Sequence, residues 1–113
     1  MNAIRNKVSL IGNLGSDPEV KMVGERKYAK VSLATNDVYK NAKGEKVTET
    51  HWHNLVMWGK VAEISEKLLE KGKEVAVEGK LVTRSYTDKE GQKRYVTEVQ
   101  VNELLLLGSK SSD

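Results

Sequence analysis

Thr50-His51-Trp52-His53-Asn54-Leu55-Val56-Met57-Trp58-Gly59-Lys60-Val61-Ala62-Glu63-Ile64-Ser65-Glu66-Lys67-Leu68 changes period in its middle. Up to Trp58 the pattern is that of a strand, in which neighbouring side chains point to opposite faces. Trp52, Asn54, Val56 and Trp58 therefore share one face, and His51, His53, Leu55 and Met57 share the other. Leu55 and Met57 suit an inner face. Asn54 is poorly placed in a core, so the tryptophan face is expected to be at least partly solvated. From Lys60 to Lys71 the period becomes helical: Val61, Ile64 and Leu68 fall at i, i+3 and i+7, with Ser65 and Leu69 beside them. Glu63 and Lys67 form a supporting i,i+4 pair, and Gly72 offers a stop.

Strands flank this switch on both sides. Upstream, Val8, Leu10 and Gly12 alternate with Lys7, Ser9 and Ile11, and Gly12 points to a bulge or bend. Gly15-Ser16-Asp17-Pro18 ends that strand. Tyr28 to Asn36 alternates again, and Val38 to Glu49 reads as a basic loop or floppy hairpin. Downstream, Val75 to Tyr86 and Tyr95 to Leu105 read as strands joined by a hairpin loop over Asp88 to Arg94, with Gly91 in it. Five strands with one helix between the third and fourth match the five-stranded Greek-key barrel called the OB-fold, an all-β class with one helix. The alternative is another small curved-sheet α+β domain. Residues 1–107 are read as one domain, and residues 108–113 as a flexible C-terminus.

Composition narrows the function classes. The chain has 113 residues, a net charge of +3 and no Cys, so disulfides and thiolate metal sites are excluded. Residues 1–48 carry 9 basic and 5 acidic side chains, whereas residues 49–113 carry 10 and 11. The longest apolar run, Leu104 to Leu107, is far short of the ~20 residues a membrane helix needs. No secretory h-region precedes the first strand, so a cytoplasmic protein without membrane partners is expected. With no Phe present, the core must come mainly from Val, Leu and Ile. That leaves Tyr28, Tyr39, Trp52, Trp58, Tyr86 and Tyr95 free for other work.

Two strand faces combine aromatics with cations. Trp52 and Trp58 lie ~20 Å apart along one strand at ~3.3 Å per residue, with Asn54 between them. Lys80, Val82, Arg84 and Tyr86 form the outward face of the fourth strand. Flat rings take any nucleobase by stacking, and nearby cations neutralise phosphates. The same rings would equally cover barrel ends or an oligomer interface. Tyr39, Lys40 and Lys43 stand in the basic loop, which alone reads as ordinary solvated chain. The pair His51 and His53 falls short of the three or four ligands zinc takes. Gly12-x-x-Gly15 is not followed by a helix, which a nucleotide loop requires. No nucleophile–base set and no metal-ligand set stands out, so a non-enzyme without cofactor or metal is expected.

Taken in order, these segments resemble the bacterial single-stranded DNA-binding protein family. The likeness is carried by Asn6-Lys7-Val8-Ser9-Leu10-Ile11-Gly12-Asn13-Leu14, Asp17-Pro18-Glu19-Val20, Leu33-Ala34-Thr35, Thr50 to Lys60, Val77-Glu78-Gly79-Lys80-Leu81, Arg84-Ser85-Tyr86-Thr87-Asp88 and Arg94-Tyr95-Val96-Thr97-Glu98-Val99. The resemblance implies an OB-fold homotetramer that wraps single-stranded DNA without sequence preference in replication, recombination and repair. It implies stacking at Tyr39, Trp52, Trp58 and Tyr86, and DNA contact by Lys7, Lys60, Lys71 and Arg84. Asn54 stands where many members carry Arg, and His53 matches a position near the subunit interface. Members usually end in an acidic tip that recruits replication and repair proteins. This sequence stops at Asp113 without one, which fits a short paralogue or a core. The residues also leave open a barrel that binds partner proteins, and an RNA or tRNA binder.

Overall fold

A computed structural model describes residues 3–107. The proposed flexible segment 108–113 lies outside the described residues. After a short 3-10 turn at Ala3–Asn6 come β1 (Val8–Leu14), β2 (Glu19–Val23), β3 (Arg26–Lys40), β4 (Lys46–Trp58), α1 (Lys60–Leu68), β5 (Glu74–Thr87) and β6 (Lys93–Leu106). Hydrogen-bonded neighbours run β1-β5-β6-β4-β3-β2, and β1 also pairs with β3 at Asn13↔Ala34 and Leu14↔Leu33. That last pairing closes β1, β5, β6, β4 and β3 into a five-stranded OB-fold barrel, with α1 between its third and fourth strands as the period switch predicts.

The sixth strand, β2, lies outside the ring on the edge of β3. It pairs from Glu19↔Lys30 to Val23↔Arg26 around a two-residue turn at Gly24 and Glu25. Sequence reading missed it. The signal was there: Glu19 to Val23 alternates weakly, and a glycine opens the turn.

The interior is lean and aliphatic. Leu14, Ala29, Val31, Leu33, Leu55, Met57, Ala62, Leu69, Val75, Val77, Val99 and Val101 form one buried cluster, and Leu104 and Leu106 pack on it. No aromatic side chain belongs to it. Of the isoleucines whose burial is described, neither joins the core: Ile11 and Ile64 are exposed, which corrects their expected contribution.

Three further expectations change. No bulge lies at Gly12, where the β1–β5 register runs unbroken from Val8↔Gly79 to Asn13↔Glu74. Gly12 instead lets β3 cross closely, because a Cβ there would stand 2.1 Å from the Ala34 carbonyl oxygen. The register shift sits at Glu78/Gly79 in the β5–β6 pair. The helix ends at Leu68, a turn early, with Leu69 already extended. Gly72 belongs to the following turn, its N–H donating to the Leu14 carbonyl at 2.8 Å. The packed face of the helix is Ala62 and Ser65, with Leu69 buried just beyond its end, while Ile64 and Leu68 stay exposed. The helix packs against β3, β4 and β6, and small, fully buried Ala62 and Ser65 allow the close approach.

The stretch Val38 to Glu49 is ordered β structure. β3 and β4 stay paired out to Lys40↔Lys46. The turn is tied by Asn41, whose Oδ1 accepts the N–H groups of Lys43 at 2.9 Å and Glu45 at 3.0 Å. Such local side-chain bonds replace the core contacts this arm lacks.

Candidate nucleic-acid interface

The outward face of β3 and β4 is set by their register. Tyr28 stands opposite Trp58, Lys30 opposite Val56, Ser32 opposite Asn54, and Ala34 opposite Trp52. On the outer edge β2 places Lys21 opposite Tyr28. One row thus crosses three strands as Lys21, Tyr28 and Trp58.

The two tryptophans differ. Trp52 is 63% exposed. Its ring rests against the turn after β1, where a Cβ on Gly15 would stand 2.4 Å from the ring and 2.9 Å from Ser32 Oγ. Trp58 is half-buried. Tyr28 meets it with ring centroids 4.7 Å apart and planes tilted by 57°. The Arg26 guanidinium lies over the indole at 5.0 Å, and Lys21 Nζ lies 5.6 Å from the Tyr28 ring. Cations over ring faces at such distances are attracted by the ring quadrupole.

The tryptophan face of β4 is partly solvated, as expected, and unevenly so. Trp52 and Asn54 are open, but Val56 is buried and Trp58 is partly covered. At Leu55 and Val56, β4 is paired on both edges, by β3 and by parallel β6. Neighbouring strands leave that part little room for water. Beside Asn54 opens a hollow of about 340 Å³ bordered by Ser16, Asp17, Glu19, Lys30 and Ser32.

The other predicted residues spread around this wall. Lys60 follows Trp58 at the exposed start of α1. Tyr39, Lys40 and Lys43 lie exposed on the β3–β4 arm. Tyr86 is exposed near the tip of the β5–β6 arm, opposite Arg94. Because β4 and β6 run parallel, the turns that precede them lead into strands of one direction. Lys71 is exposed next to the β1–β2 connection, its N–H donating to Asp17 Oδ1 at 2.9 Å.

Two residues stand apart. Lys7 lies on the β1–β5 side, paired with Glu78 at 2.9 Å, and that hydrogen bond raises its ammonium pKa. His53 is half-buried, its Nε2 within 2.9 Å of Thr35 Oγ1.

Arg84 reaches from β5 to β6. Its Nε and Nη2 donate to Glu98 Oε1 at 3.1 Å and Oε2 at 3.2 Å. The hydrogen bond to Glu98, then its charge, strengthens the protonation of Arg84. The Tyr28 phenol is pushed above its ordinary range, first by burial and then by the Glu98 charge, with Arg84 opposing. The pair and the ring thus share one electrostatic neighbourhood. Sequence reading missed Lys21, Arg26 and Tyr28 as one cluster with Trp58. The available signal was local, since Tyr28 follows Arg26 and Lys27 directly.

A closed OB-fold barrel with aromatic rings and cations on one outer wall defines the class. Residues 5–107 match the single-strand binding protein family. Over 110 residues the chain is 44% identical to single-stranded DNA-binding protein 1 of Xylella fastidiosa, covering 96% of this chain and 81% of the relative. Over 109 residues it is 42% identical to single-stranded DNA-binding protein 1 of Chlorobaculum tepidum, covering 95% and 67%. Among solved structures, the Plasmodium falciparum SSB complex with ssDNA superposes with a TM-score of 0.84 at 33% identity, over 91% of this chain and 95% of that one. The chain belongs to the single-strand binding protein family.

Proposed function

We propose that this protein binds single-stranded DNA without sequence preference and without catalysis, coating it during replication, recombination and repair. The observation that carries the reading is the outer wall of β3 and β4. It offers Trp52 open to solvent, a cation-fringed Trp58–Tyr28 pair and Asn54 between them. Bases stack on the rings, and Lys40, Lys43, Lys60, Lys71 and Arg84 accompany the backbone past Tyr39 and Tyr86. Lys7, bound to Glu78 on the β1–β5 side, meets the strand only where it wraps around the barrel. Names of the relatives and of the superposed complex support the same ligand. The setting is the bacterial cytoplasm, at the nucleoid.

Titration with oligo-dT of graded length, watching tryptophan emission, tests this. Quenching, with affinity falling in salt by a log–log slope near −0.7 per phosphate neutralised, is expected. Unchanged emission with no mobility shift overturns it. A matched RNA strand bound more tightly than DNA moves the reading to RNA.

Assembly as a homotetramer belongs to the same proposal. Ile11, Ala76 and Leu105 stand in one row across β1, β5 and β6. Ile11 is 60% and Leu105 63% exposed. They border a groove of about 660 Å³ with Ser9, Glu78 and Glu103. An exposed aliphatic row on a sheet face is matched by a second copy of the same face. His53 is proposed to lie near a subunit boundary.

A further inference from the structure

Among the described residues Glu98 is the buried carboxylate, 3% exposed, on a strand otherwise lined there by Val99 and Val101. Burying a carboxylate is costly unless it is paired and hydrogen-bonded. Both its oxygens are taken by one side chain, Arg84, which is itself 51% exposed. Two-point contact fixes the guanidinium plane as well as its position. Of its five N–H donors, two face Glu98, and three remain for a ligand.

The held guanidinium borders a hollow of about 280 Å³ shared with Glu19, Val20, Lys21, Tyr28 and Lys30. Tyr86 follows two residues later on the same face of β5. Arg84 thus lies between two rings of the proposed DNA path. Lys21 and Lys30 reach the same hollow, and neither forms an ion pair among the described residues. Arg84 differs from them because its charge is already matched.

We infer that Glu98 is a positioning residue for DNA binding: it orients the Arg84 guanidinium toward the strand and cancels its charge. Arg84 then meets DNA as a directed hydrogen-bond donor and flat surface, and Lys21 and Lys30 supply the counter-charge. This rests on the reading above.

The test is a salt series of oligo-dT titrations on the full chain. Glu98→Gln keeps an acceptor for Arg84 but removes the matching charge. It is expected to steepen the log–log salt slope by ~0.7, the value of one added phosphate neutralisation. Binding at low salt should tighten. The paired replacement Glu98→Gln with Arg84→Met keeps the net charge of the wild-type pair and removes the donors. It is expected to keep the wild-type slope while lowering affinity about tenfold at every salt concentration, the worth of a hydrogen bond to a charged group. A slope unchanged in Glu98→Gln, or shallower by ~0.7 in the paired variant, overturns the inference and makes Arg84 an ordinary counter-charge. If Glu98→Gln fails to fold, judged by circular dichroism, the slope of the paired variant decides. Wild-type protein that ignores oligo-dT overturns the function reading itself. Wild-type protein that binds, with variants that follow the overturning pattern, overturns the positioning role alone.

Discussion

Trp52 and Trp58 sit six residues apart on one strand, yet their surroundings differ. Trp52 faces solvent, whereas Trp58 is in contact with Tyr28 and Arg26. A base stacked on an open ring is worth ~1–3 kcal/mol. Trp52→Ala should therefore weaken oligo-dT binding by roughly 5- to 150-fold, with little change in the urea midpoint. Trp58→Ala should lower both, because Tyr28 loses its neighbour. Gly15 is the floor under Trp52. Gly15→Ala should push the ring off its seat, shift its emission and reduce affinity, while the melting temperature moves little. Alternation along the strand revealed that the tryptophans share a face. Which of them is covered depends on Tyr28, thirty positions away, and on a strand register no single segment encodes.

At the scale of elements, hydrophobic period was a good guide wherever an element touches the core. The five barrel strands and the helix could be read for that reason. β2 and the outer half of the β3–β4 arm have few buried residues, so their order comes from ladder bonds and turn chemistry. The helix boundary was misplaced because Ile64 and Leu68 mimic a packed face while small Ala62 and Ser65 make the actual contact. Asp88 gives a pH prediction for the β5–β6 turn. Its Oδ2 accepts Arg94 Nε at 2.9 Å, and its Oδ1 accepts the N–H groups of Glu90 and Gln92 at 2.9 Å. The bond from Arg94, then that from Gln92, holds its carboxyl below the ordinary value. A depressed carboxyl stabilises the turn when ionised. That support is present above the usual carboxylate range and is lost as pH falls through the lowered value. Protection factors of the Glu90 and Gln92 amides, taken against the intrinsic exchange rate at each pH, should fall on acidification below about pH 4, before those of the barrel strands. Protection factors that hold until global unfolding would count against the assignment.

For the whole molecule, closure explains why so small an interior suffices. The β1–β3 pairing removes the free edges of the ring, and β2 covers part of the outer rim of β3. What closure leaves unresolved is the aliphatic row Ile11, Ala76 and Leu105 on the outside. The four consecutive leucines already announced it, since alternation must turn some of them outward. Ile11→Glu with Leu105→Glu should reduce the particle mass measured by light scattering to that of one chain. The circular dichroism spectrum should stay as it is, because neither side chain belongs to the interior. A wild-type particle with the mass of a single chain would remove the assembly proposal.

The Arg26 guanidinium already occupies the indole of Trp58. On the proposed DNA path, a nucleobase arriving at Trp58 would have to displace this cation instead of landing on bare carbon. The heat released there would be the difference between base stacking and the cation–ring contact, and the displaced guanidinium would be free to meet a phosphate. Calorimetry of Arg26→Ala should consequently report a larger exothermic signal per base at Trp58 alongside a weaker ionic component, so this ring trades enthalpy for charge as DNA arrives.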